Sequence, residues 1–113
     1  MAKNIAVVIQ EDPRKTHRPV EALRIALGLV AGSHLTTVIL LGEAFRLLGE
    51  DTDDIIDVDI LEKYLPSIAQ LKIPFILQST ANQSKVRSEF QVQYQTDESI
   101  GVFVRSMDNA LVF

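Results

Sequence analysis

Asn4-Ile5-Ala6-Val7-Val8-Ile9 is followed by the charged loop Gln10-Glu11-Asp12-Pro13-Arg14-Lys15-Thr16-His17-Arg18, then by Pro19-Val20-Glu21-Ala22-Leu23-Arg24-Ile25-Ala26-Leu27-Gly28-Leu29-Val30. The first run is apolar and β-branched without alternation, the pattern of a strand covered on both faces. In the third, Val20, Leu23, Leu27 and Val30 recur at helical spacing. Pro19 fits a first helical turn, where its missing N–H has no intrahelical partner, and Gly32 supplies a stop. A buried strand leading through a polar loop into a helix is the opening of an α/β unit.

The same rhythm continues outward. Leu35 to Leu41 reads as a second internal strand, and Glu43 to Leu48, closed by Gly49, as a short helix. Glu50, Asp51, Asp53, Asp54, Asp57 and Asp59 make residues 50–59 strongly acidic. Asp59 stands three residues before Glu62 in a capping-box-like spacing, and Leu61, Leu65, Ile68 and Leu71 continue a helical face. Pro66 predicts a kink or break in that helix.

Ile73 to Leu77 reads as the third strand, and Ser79 or Thr80 as the cap of a short helix ending near Ser88. Gln91 to Thr96 alternates as a strand does. Asp97 to Met107 reads as helix despite the strand-prone Val102-Phe103-Val104, leaving Ala110 to Phe113 as the last strand. The reading is therefore one domain over residues 1–113 in the α/β class, three layers (α/β/α) around a mostly parallel sheet of about five strands.

Composition narrows the function classes. The chain has 113 residues, 47% hydrophobic and 23% charged, with net charge −4 and a pI near 5.0. This mildly acidic balance, with no interleaving of basic and aromatic residues, argues against nucleic acid or anionic membrane as partner. The apolar runs are far shorter than a bilayer span, and a cytoplasmic location is expected. Cysteine is absent, which removes disulfides, thiolate nucleophiles and cysteine metal ligands. Residues 50–59 lack the alternating ligands and central glycine of an EF-hand, and His17 and His34 are the only histidines, so neither metal nor cofactor is expected.

In open parallel sheets ligands gather at the carboxyl ends of the strands, here residues 10–18, 42–43 and 78–82. Arg14, Lys15, His17 and Arg18 precede a helix N-terminus and fit a small anion, a phosphate or a partner's carboxylate. No glycine-rich cradle or P-loop pattern accompanies them, which favours a solvated loop that partly neutralises Glu11, Asp12 and Glu21. His17 as a general acid or base has no evident nucleophile or orienting partner beside it.

The opening strand, loop and helix, together with Leu41-Gly42-Glu43-Ala44, Ile73-Pro74-Phe75-Ile76-Leu77 and Asp108-Asn109-Ala110-Leu111-Val112-Phe113, resemble the DsrE/DsrF-like sulfur-relay family over nearly the whole chain. The resemblance implies a persulfide-bearing cysteine just after the strand that matches Pro74 to Leu77. Gln78 occupies or adjoins that place here. It also implies assembly as a homo-oligomer, or as a hetero-oligomer with DsrE-like subunits. Persulfide transfer needs a polarisable thiolate that attacks sulfur and holds it covalently, and an amide does neither. Gln78, Ser79, Thr80 and Asn82 then either line a polar pocket or cap the following helix. The expected role is a non-catalytic subunit or binding module in sulfur metabolism, not itself a carrier and so no sulfurtransferase. The alternative is a small-anion or nucleotide-binding protein on the same scaffold.

Overall fold

The computed structural model describes residues 2–113. Strand β1 (Asn4–Ile9) leads into helix α1 (Arg18–Ala31), then strand β2 (Leu35–Leu40) and a 3-10 segment (Gly42–Leu48). Helix α2 (Val58–Leu71) is followed by strand β3 (Pro74–Gln78), a single 3-10 turn (Gln83–Lys85) and strand β4 (Gln91–Gln95). Helix α3 (Asp97–Arg105) and strand β5 (Asn109–Val112) complete the order. All five strands are parallel, in the spatial order β4-β3-β2-β1-β5.

Alternation along β1 explains its unbroken apolar run. Val7 and Ile9 join Val38, Leu40, Phe75 and Leu77 on the face covered by α1 and α2. Ala6 and Val8 join Ile39 and Ile76 on the opposite face, beneath Ile100 of α3. Both sides are covered, so neither can be polar. The two layers differ in weight. Two fourteen-residue helices cover one face, whereas the nine-residue α3 alone crosses the other.

Three local expectations give way to other solutions. Asp59 and Glu62 do not form a capping box: α2 begins after Asp57, whose backbone is left-handed (φ 63°) and whose side chain caps nothing. Glu62 instead accepts a hydrogen bond from the Thr52 hydroxyl at 3.3 Å, so its carboxylate is turned to the preceding loop. Pro66 does not break α2, which runs through it from Val58 to Leu71. The proline lies on the exposed side while Leu61, Leu65 and Ile68 stay buried. The helix expected from Ser79 or Thr80 to Ser88 shrinks to the Gln83–Lys85 turn, capped by Asn82 Oδ1 accepting from the Ser84 N–H at 3.2 Å. None of its residues is buried, and a polar segment with no face to pack gains too little to propagate a helix.

Candidate functional site

The carboxyl ends of β1, β2 and β3 bring together the loop at 10–18, the turn at Leu41 and Gly42, and the start of α3. Gln78, the last residue of β3, ties two of these pieces together. Its Oε1 accepts from the Gly42 N–H at 2.7 Å, and its Nε2 donates to Asp97 Oδ1 at 2.8 Å. Gly42 sits at φ +57°, a left-handed conformation in which a side chain is strained. That turn presents its amide to Gln78. One half-buried side chain thus clamps the end of β2 to the N-terminus of α3, using both a donor and an acceptor. No thiol, carboxylate or amine has this pairing of functions in one planar group.

Ser79 and Thr80 are exposed beside it, and the Ser79 N–H donates to the Gln95 carbonyl at 2.8 Å. Asn82 is spent on the turn it caps. The four residues therefore divide: Gln78 faces the α3 side of the strand ends, while Asn82 organises the loop beyond. Below Gln78 an open groove of about 500 Å³ runs between α3 and β1/β5, floored by Val8, Leu41, Ile100, Val104 and Val112 and rimmed by Gln10, Asp97 and Arg105.

The basic loop is largely committed to its own acids. Arg14 forms a two-armed pair with Asp12, Nη2 to Oδ2 at 2.7 Å and Nε to Oδ1 at 3.0 Å. That hydrogen bonding, against the opposing effect of burial, holds the Asp12 carboxyl down at about 2. Arg18 sets Nε 3.0 Å from Glu11 Oε2, a contact of charge without hydrogen-bond geometry, since that oxygen is buried with no hydrogen-bond partner. The Arg18 guanidinium also lies 6.0 Å from the centre of the Phe113 ring. Glu21 is engaged by Arg24, which lowers its pKa. Lys15 and His17 are exposed, and no ion pair involves them among the described residues. His17 occupies the N-cap position of α1 without a side-chain cap, and His34 Nδ1 accepts from the Lys3 N–H at the opposite end of the sheet.

Gly42 and Asp97 are the partners that the sequence did not single out for this role. A glycine just after a buried strand is a usable signal for a left-handed turn. Nothing in the spacing of Asp97 announces Gln78, since a carboxylate at a helix start reads first as a dipole or cap contribution. Thr96, not Asp97, makes the cap, accepting from the Ser99 N–H at 3.2 Å. Among the described residues no group of three or more His, Asp or Glu side chains is placed to hold a metal ion. No helix is long and apolar enough to cross a membrane.

Fold and site together define a class: a three-layer α/β protein with five parallel strands and, at the end of its third strand, a hydrogen-bonded amide. The solved structures place that architecture. The chain is similar to the crystal structure of the ychN protein from E. coli, with a TM-score of 0.73, 18% sequence identity and 100% of each chain covered. At that identity the likeness is one of fold. No protein-family model matches the sequence, and no curated protein matches it.

Proposed function

We propose that this chain is a non-catalytic subunit or binding module of the DsrE-like type, which contacts a partner through its strand-end face and does not carry sulfur. The observation that supports this reading most is Gln78. At or next to the place where the resemblance implies a persulfide cysteine, the chain has an amide whose two polar atoms are already bonded to Gly42 and Asp97. Such a group holds a surface in shape; it neither attacks sulfane sulfur nor retains it. With no cysteine elsewhere, a role in sulfur metabolism would be exercised by presenting this face to a thiol-bearing DsrE-like subunit.

Sedimentation velocity of the chain mixed with such a subunit tests the proposal, with Gln78→Arg as the variant that disorders the face. A complex weakened by the variant is expected. Full-strength binding by the variant would move the contact elsewhere on the molecule, and absence of any complex would remove the subunit reading.

Small-anion binding keeps support from Lys15 and His17, which are exposed near the N-terminus of α1. Arg14 and Arg18 already face carboxylates, so an anion would compete with Asp12 and Glu11 for them. A thermal-shift series with inorganic phosphate, sulfate and nucleotides separates the two readings, because a ligand of the native state raises its melting point by mass action. Self-association belongs to the same proposal. Its support is the lightly covered α3 face and the exposure of Val102, Leu111 and Val112.

A further inference from the structure

We infer that the chain pairs with a second copy of itself along β5, antiparallel and edge to edge, so that two five-stranded sheets become one continuous sheet. This rests on the self-association reading above and names the surface that serves it. Phe113, just beyond β5, turns both of its backbone groups to β1: its N–H donates to the Val8 carbonyl and its carbonyl accepts from the Gln10 N–H, each at 2.8 Å. Leu111, in register with Val7, must face the same way. Strand alternation then points the N–H and C=O of Ala110 and Val112 away from the sheet, into solvent.

Natural edge strands are protected by lysine, proline, a bulge or a covering element. Asn109-Ala110-Leu111-Val112 has none of these residues, and all four are exposed. Leu111 is 38% and Val112 54% exposed, on opposite faces of the sheet. The other edge, β4, is less suited to this. It shows Gln91, Gln93 and Gln95 on one face, while Val92 and Tyr94 on the other are already packed against the core.

A second copy is the occupant that fits. With a two-fold axis at Leu111, Ala110 of one chain lies opposite Val112 of the other. Their outward donors and acceptors satisfy each other reciprocally, and the two Leu111 side chains meet across the axis. That register also sets the end of β5 where Arg18, beside Glu11, lies over Phe113 next to the end bearing Asp108, twice by symmetry. So short an edge buries far less than the roughly 1,200 Å² typical of a stable complex. The dimer is accordingly concentration-dependent, populated between micromolar and millimolar.

Sedimentation velocity across that range, with amide hydrogen exchange measured at both ends of it, tests the inference. The expected result is a rise towards twice the monomer mass, with the Ala110 and Val112 amides becoming protected as the mass rises. Ala110→Pro removes an outward donor without touching the β1 ladder, so it should remain monomeric with an unchanged melting point. Leu111→Pro, which removes a ladder bond, should instead destabilise the monomer. If the protein assembles while the Ala110 and Val112 amides exchange freely, or if Ala110→Pro assembles like the parent, the edge is not the interface and self-association proceeds elsewhere. A monomer throughout overturns both.

Discussion

Replacing Gln78 with alanine removes the clamp and leaves its partners in place. Two hydrogen bonds are lost, one from the Gly42 amide at 2.7 Å and one to the Asp97 carboxylate at 2.8 Å. A neutral bond contributes about 1 kcal/mol net and one to an ionised group about 1.5–3 kcal/mol. Gln78 is half-buried and Asp97 exposed, so water recovers part of each, and the loss comes to about 2 kcal/mol. For a domain of this size that is a fall of roughly 10 °C in melting temperature, or about 1 M in urea midpoint at a typical denaturant slope. Urea unfolding followed by far-UV circular dichroism is the assay, with Asp97→Ala and the double variant completing a cycle. A coupling of about 1 kcal/mol between the two positions is expected. Gln78→Glu sharpens the test. Its introduced carboxyl faces Asp97 and donates only when protonated, so its folded pKa is raised. Stability matches the parent most closely below the unfolded value near 4.3 and falls as pH rises through the folded one. A loss under about 0.5 kcal/mol for Gln78→Ala, with no coupling and no pH dependence in Gln78→Glu, would refute the clamp.

Other outcomes follow from single contacts. Asp12, held at about 2 by Arg14, is depressed below its unfolded value. It therefore contributes stability above about pH 4 that disappears as pH falls towards 2, on the order of 1 kcal/mol after allowance for solvent. Acid unfolding of Asp12→Asn should show that part of the slope missing, and an unchanged slope would contradict the pair. Pro66→Ala supplies the donor that the Glu62 carbonyl lacks within α2, on an exposed face with little packing to lose. Net of the proline's restriction of the unfolded chain, it should stabilise by about 2 kcal/mol, and any loss in urea midpoint would count against the unbroken helix. Thr96→Ala deletes the α3 cap to Ser99 and should cost about 1 kcal/mol, again read by urea unfolding.

Much of the fold was legible because burial writes itself into composition. The β-branched apolar runs around Val7, Val38 and Phe75 read as strands covered on both faces. The amphipathic spacing of Val20, Leu23 and Leu27 admits only a helix lying on them. The five-stranded α/β/α sheet follows, and α3 prevails over the strand propensity of Val102-Phe103-Val104 because Ile100 and its neighbours close the second face. Less legible was what depends on single polar choices. Asp57 and Asp59 offer the same carboxylate, and a left-handed backbone at Asp57, not a capping box, decided where α2 begins. Ser79, Thr80 and Asn82 offer equivalent caps, and packing decided that little needed capping. At the candidate site, Gln78 was identified by its place on the third strand. Its partners are separated from it by 36 and 19 residues, and no local pattern reports contacts at that range. The commitment of Arg14 to Asp12 is a short-range event, yet charge order alone does not distinguish a self-neutralised loop from an anion site.

The most direct measurement is intact mass after exposure to a persulfide donor, made in parallel on the parent chain and on Gln78→Cys. An unchanged parent mass and a gain of one sulfur atom in the variant are the results the proposed reading predicts, since sulfane sulfur is held by a thiol and not by an amide. A stable gain of sulfur on the parent would contradict the non-carrier role, and a variant whose accessible thiol never accepts sulfur would show that the end of β3 is not a sulfur-handling position.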